Sequence, residues 1–172
     1  YYQKALNITE NSFGLEHVET AMSQSNLAVL LNELGDKALA EDLLCQAIAT
    51  RTKILGIDHH ETVTASSNLA LILYDNTKDH LHRDDGSSRD LLWAAAMLHA
   101  CGQHINLSAY HKHSWYLIRH GELLGYSEAE HLMVAAIARY HRRSLPKKRH
   151  ESWQALRTRE NRKCVSEMSL LL

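Results

Sequence analysis

This sequence predicts an all-α fold, on three observations. Its 172 residues include one Pro and seven Gly, so turn punctuation is scarce and long helices are favoured. Its first half matches itself at a fixed offset of 42 positions, as from Gly14 to Gly56, a period that marks stacked helical units. Its second half carries apolar residues at helical spacing behind a helix-start signature at Ser127 and Glu130. With 45% apolar residues, the chain can build one ordinary core or two small ones.

The repeat pairs His17 with His59, Glu19 with Glu61, Thr20 with Thr62, and Leu31 with Leu73. It also pairs Ser25-Asn26-Leu27-Ala28 with Ser67-Asn68-Leu69-Ala70. Each unit reads as two helices. One runs from Glu19 to Leu34, with Leu27, Leu30, Leu31 and Leu34 on one side and a turn at Gly35-Asp36. The other runs from Lys37 to Leu55, its stripe formed by Ala40, Leu43, Leu44, Ala47, Ile48 and Ile54, and ends at Gly56, which tolerates positive φ.

The pattern Ala5-Leu6, Gly14, His17, Glu19-Thr20, Asn26-Leu27-Ala28, Leu34-Gly35, Ala40-Glu41 and Ala47-Ile48 resembles the tetratricopeptide repeat of the kinesin-light-chain type over residues 1–74. The resemblance implies a helical scaffold whose concave face binds peptides or proteins. Asn76-Thr77-Lys78 stands where the second unit needs another Leu-Gly-Asp turn, and there the pattern stops. His17, His59, Asn26 and Asn68 have two readings. They form a peptide clamp, with Asn26 and Asn68 as the protein-binding residues; or the histidines cap helix starts and the asparagines bond within the repeat.

Residues 75–90 are rich in charge and poor in apolar side chains, with Gly86-Ser87-Ser88 as a flexible point, and read as a charged linker. His80, His82, Asp84 and Asp85 have the side chains of metal ligands, but nothing rigid orders them, and a solvated linker is the expectation.

In residues 91–172 one helix is expected from Arg89 to Ala100, broken by Gly102. A second begins at the Ser127/Glu130 capping box and runs to Arg143, with Leu132, Met133, Ala136, Ile137 and Tyr140 inward and Arg139, Arg142 and Arg143 around its rim. A last helix, Arg159 to Leu172, puts Val165, Met168 and Leu172 on one side. The residues Leu91-Leu92-Trp93-Ala94-Ala95, Leu98-His99, Gly102, Ile105, His111-Lys112-His113-Ser114, Tyr116-Leu117-Ile118, Glu122-Leu123 and Ala138-Arg139-Tyr140-His141-Arg142 resemble the exopolyphosphatase/guanosine pentaphosphatase (Ppx/GppA) family in its C-terminal helical module, itself similar to HD-domain phosphohydrolases. In that family hydrolysis belongs to actin-like domains with glycine-rich phosphate loops, a glutamate and Mg²⁺. No such loop occurs in residues 1–90, so no catalytic residue carries over. What the resemblance implies here is a grip on a phosphate polymer and dimer formation.

An HD-type metal site needs an adjacent His-Asp pair, because hard divalent ions require a carboxylate. Here the pair is His99-Ala100. His99, His113 and His141 could form a weaker Zn²⁺ or Ni²⁺ site; the expectation is that they are buried, hydrogen-bonded histidines and that no metal is bound. The basic run is the stronger feature. Arg139, Arg142, Arg143, Lys147 and Lys148 are the candidate phosphate-binding residues, continued by Arg149, Arg157, Arg159, Arg162 and Lys163, with only Glu151 and Glu160 interspersed. Such a strip holds polyphosphate or a phosphorylated nucleotide by counterion release and guanidinium contacts. Nucleic acid is disfavoured, because Trp153 alone offers a stacking platform in the later half of the strip.

The net charge of −1 conceals an acidic first half and a basic second half, which fits two modules with different partners. Three separated cysteines without a C-x-x-C pair read as reduced thiols in a cytoplasmic protein. No stretch approaches the roughly 18 apolar residues of a membrane span. Tyr1 in place of Met and the apolar end at Leu172 suggest a piece of a longer protein. The functional expectation is a non-catalytic binding chain, its repeats docking a protein and its basic module a phosphate ligand. The alternative is part of an exopolyphosphatase or guanosine pentaphosphatase whose catalytic domains lie outside these residues.

Overall fold

The repeat period is realised as alternating helices, α1 (Tyr2–Phe13), α2 (Val18–Glu33), α3 (Lys37–Leu55) and α4 (His60–Thr77), in a computed structural model that describes residues 1–82, 86–142 and 145–172. The recurring histidines are helix starters. His17 Nδ1 accepts from the Glu19 amide at 3.2 Å, and His59 Nδ1 from the Glu61 amide at 3.3 Å; each satisfies an amide left open by the helix start. Asp36 does the same for α3 through the Leu39 amide at 3.4 Å. Gly35, at φ 89°, supplies the turn a side chain would strain.

These helices share a core of Leu6, Leu27, Ala28, Ala40, Leu43, Leu44, Ala65 and Ile72. Burying each leucine there contributes about 1.5–3 kcal/mol before ordering costs. Two stripe residues depart from expectation. Leu34 is 72% exposed and Ile54 48%, because Leu34 lies past the last turn of α2 and Ile54 lies in the last turn of α3. Helix α4 also continues beyond Tyr74 to Thr77.

The chain divides into two compact units, Tyr1–Asn76 and Thr77–Leu172. In the second, a turn bridged between Lys78 and His82 precedes α5 (Ser88–Leu98), a 3₁₀ turn (Cys101–His104), α6 (Tyr110–His120), α7 (Glu128–Tyr140), α8 (Glu151–Gln154) and α9 (Arg159–Leu171). Helix α7 is the centre, packed by α5, α6, α8 and α9. Its Val134, Ala135, Ala136, Ile137 and Ala138 are fully buried, the small alanines letting neighbouring helices approach closely.

The capping box forms, with Ser127 Oγ accepting from the Glu130 amide and Glu130 accepting from the Ser127 amide. Gly102 does more than break a helix. A Cβ there would sit 2.1 Å from the Tyr110 carbonyl oxygen and 2.3 Å from the Ser114 nitrogen, so only glycine permits the 3₁₀ turn to press on α6. Helix α7 ends at Tyr140 rather than Arg143, with the His141 ring folded back onto the Ala138 carbonyl at 2.6 Å. On α9 the buried side is Val165, Met168 and Leu171, with Leu172 left half-buried past the helix end. No helix among the described residues is long and apolar enough to cross a membrane. Asp84 and Asp85 lie outside those residues, as does Arg143.

Candidate functional site

A buried histidine, His99, and a half-buried one, His141, form the floor of the site. His99 Nδ1 lies 2.6 Å from the Ala96 carbonyl oxygen and His141 Nδ1 2.6 Å from that of Ala138. A carbonyl only accepts, so both rings carry their proton on Nδ1. That leaves His141 Nε2 to accept from the Tyr110 hydroxyl at 3.0 Å. The His99 and His141 rings meet edge to face, centroids 5.0 Å apart. Burial, and then the neighbouring His99, pushes His141 down to about 4; burial also lowers His99. Both rings are therefore neutral at neutral pH.

Above this floor the charges are all positive. Burial first, then Arg139, Arg142, Lys112 and His113, push His111 down to about 4. Burial, then Arg139, Arg149, Lys147 and Lys112, lowers His150. Among the described residues no carboxylate acts on either histidine, and Arg139 and Lys112 act on both. Arg142 lies over the Tyr110 ring at 5.0 Å and Arg139 over the Tyr140 ring at 5.7 Å, so aromatic faces hold the two guanidiniums in place. Among the described residues none of Lys112, Arg139, Arg142, Lys147, Lys148 and Arg149 is in an ion pair. Arg139 Nη1 and His111 Nδ1 are buried without a hydrogen-bond partner. Buried polar atoms are nearly always paired with protein or ordered water, so these two nitrogens have bonding capacity to spare.

The loop carrying the lysines is fixed. His150 Nδ1 accepts from the Lys147 amide at 3.3 Å, the Gln154 amide donates to the Lys148 carbonyl at 3.1 Å, and the Tyr140 hydroxyl bonds Ser152 Oγ at 2.7 Å. The rest of the basic run is differently placed. Arg157 pairs with Glu128 at 3.9 Å, Lys163 with Glu167 at 3.6 Å, and Arg162 lies over Trp153 at 5.9 Å. Glu151, expected to interrupt the strip, pairs with Arg119 on α6.

The structure thus gathers Arg139, Arg142 and Lys147 of the predicted residues, with Lys148 exposed on the same loop. It adds Lys112 and His111 from α6, which sequence spacing did not connect to α7; the His111-Lys112-His113 motif was the available signal. His99 and His141 come together, and among the described residues no three His, Cys, Asp or Glu side chains form a group able to hold a metal ion. Both nitrogens of His141 are already bonded, and no carboxylate faces the cluster. The oxygen donors that Mg²⁺ requires are absent here, and these residues do not fit that ion.

In the first unit a groove of about 240 Å³ is lined by Asn26, Met22 and Val29 of α2, Asn68 and Glu61 of α4, and Arg51 of α3. It brings Asn26 and Asn68, equivalent in the repeat, to one surface. Neither amide bonds within the repeat among the described residues. Arg51 is buried there, donating to Ser25 Oγ at 3.1 Å and to the Glu61 carbonyl at 3.2 Å.

Against known families, the model of the Ppx/GppA phosphatase, domain III, matches residues 46–172, well over half of the chain. The chain belongs to this family. The Ppx/GppA match crosses residues 75–90 and takes in α4. A tetratricopeptide-repeat model matches residues 1–53. Over 57 residues the chain is 44% identical to the guanosine-5'-triphosphate,3'-diphosphate pyrophosphatase of Pseudoalteromonas translucida (strain TAC 125). That stretch covers 33% of this chain and 12% of the relative, so this Ppx/GppA member is matched to only a small part of the relative's length.

Proposed function

We propose that the second unit holds an extended phosphate ligand, inorganic polyphosphate or the phosphates of a nucleotide, on Lys112, Arg139, Arg142, Lys147 and Arg149. The observation that carries this reading is the pair of unpartnered buried atoms, Arg139 Nη1 and His111 Nδ1, in a field without carboxylates. Phosphate oxygens would supply the missing acceptors for Arg139. By neutralising the surrounding charge they would also let His111 take up a proton and donate. The reading is of a binding site: the Nδ1 atoms of His99 and His141 are engaged by backbone carbonyls and His141 Nε2 by the Tyr110 hydroxyl, so neither ring is set up as a general base. Hydrolysis, if the whole protein performs it as the pyrophosphatase relative's name indicates, falls to residues other than these. That is the second reading, favoured by the family match.

The first unit docks a protein segment in the α2–α4 groove, where two unbonded asparagine amides can pair with a peptide backbone. Three free cysteines fit a reducing compartment.

Equilibrium binding of polyphosphate to the whole chain at 50 and 200 mM salt tests the proposal. The affinity should fall about 100- to 500-fold over that range, as expected when the five cations release counterions. Binding that ignores salt, or survives Arg139→Ala with Arg142→Ala, overturns it. Phosphate release from polyphosphate with Mg²⁺ by these residues alone would overturn the non-catalytic reading.

A further inference from the structure

A second cavity of the same unit has the opposite character. It has a volume of about 350 Å³ and lies by the first turns of α5 and α7, with Asp90, Trp93, Tyr126 and Glu130 in its wall and no Lys, Arg or His lining it among the described residues. We propose that it binds an organic cation, an ammonium or guanidinium group on a hydrocarbon stem, with Trp93 and Tyr126 as ring walls and Asp90 and Glu130 as counter-charges.

Four features support this. The volume is many times the roughly 30 Å³ that a water occupies, so there is room for a stem as well as a charge. Trp93 is 48% exposed and makes no ring contact with Tyr126 among the described residues, so the cavity keeps an aromatic face open to a cation. Glu130 Oε2 accepts from the Ser127 amide at 2.8 Å and its hydroxyl at 2.7 Å. These bonds hold the carboxylate ionised and leave Oε1 for a ligand. Tyr126 is raised by burial and then by Asp90 and Glu130, so all three groups address the same space. Asp90 and Glu130 each sit in the first turn of a helix, whose positive end offsets part of their charge. A bare inorganic ion therefore gains little, and the aromatic walls decide in favour of an organic one.

Isothermal titration of the whole chain with tetramethylammonium chloride, against sodium chloride at matched ionic strength, tests the site. Saturable binding of tetramethylammonium alone is expected, weakened at least about tenfold by Trp93→Ala. Asp90→Asn and Glu130→Gln should each weaken it at least about threefold. Glutamine still completes a capping box, so Glu130→Gln keeps the start of α7 intact, which circular dichroism checks. A Gly-Lys-Gly peptide that binds tighter than tetramethylammonium assigns the cation to a partner's lysine, and the reverse order to a free quaternary amine. Either order supports the pocket. Equal heats from sodium, absence of saturation, or unaltered binding in folded Trp93→Ala and Glu130→Gln variants overturns it.

Discussion

The basic run of the second unit has two halves that look alike in sequence and differ in the fold. Among the described residues, Arg139, Arg142, Lys147 and Arg149 act on His111 or His150 together with Lys112, and Arg139 Nη1 is left unpartnered. From Arg157 to Lys163, Arg157 and Lys163 pair with carboxylates of α7 and α9, while Arg162, over an indole ring, also keeps an unpartnered Nε. The lesson is that cation density alone does not make an anion site. The difference lies in the counter-charge: Arg157 and Lys163 each have a carboxylate partner, whereas among the described residues Arg139, Arg142, Lys147 and Arg149 are in no ion pair. Helix α6 sharpens the contrast by adding Lys112 and His111 to the first half while its Arg119 takes Glu151 out of the strip.

The largest expected effect is on acid stability, because only the first half stands on the His99 and His141 rings. The folded state holds His141 near 4, whereas the unfolded chain takes up that proton around 6.5. Above 6.5 neither state is protonated and folding gains fully. As pH falls from 6.5 to 4 the unfolded state binds more protons, and about 3 kcal/mol is lost. Urea denaturation at pH 7 and pH 4.5 measures this; equal stabilities would show that the histidine floor is not buried in solution. Next in size, Arg139→Ala with Arg142→Ala should weaken polyphosphate binding about 30-fold, while Arg157→Ala with Lys163→Ala changes it under about threefold. Parallel titrations compare them, and equal losses would erase the distinction between the halves. Lys112→Ala should cost about fivefold in the same assay, which tests whether α6 belongs to the site. Smallest of all, Glu128→Gln frees Arg157 from an exposed pair worth about 0–1 kcal/mol, and binding should shift less than about twofold.

Much of this was legible beforehand, and the illegible part has physical causes. Helix periodicity, the offset of 42 positions between repeat units and the Ser127/Glu130 box gave the helices, since each is a local pattern. The capping role of His17 and His59 was available as one of two readings, and hydrogen bonds two residues away settle it. Helix α7 ends at Tyr140, earlier than periodicity implies, and the bond of the His141 ring to the Ala138 carbonyl just past it is invisible in periodicity. The site was read from one segment only. Spacing puts Arg139 and Arg142 near each other at the end of α7, but nothing local says that α6 packs alongside and delivers Lys112 and His111. Which cations are neutralised was equally hidden, since Glu128 and Glu167 lie outside the segment from Arg139 to Lys163 that was read as the strip.

The most direct test is an NMR titration of the His111 imidazole with and without saturating inorganic polyphosphate. Bound phosphate should raise His111 from about 4 toward its ordinary value and strengthen binding as pH falls through that window, because the complex then takes up a proton. A His111 that titrates at the same pH while the protein is saturated with polyphosphate would place the ligand elsewhere and contradict the assignment.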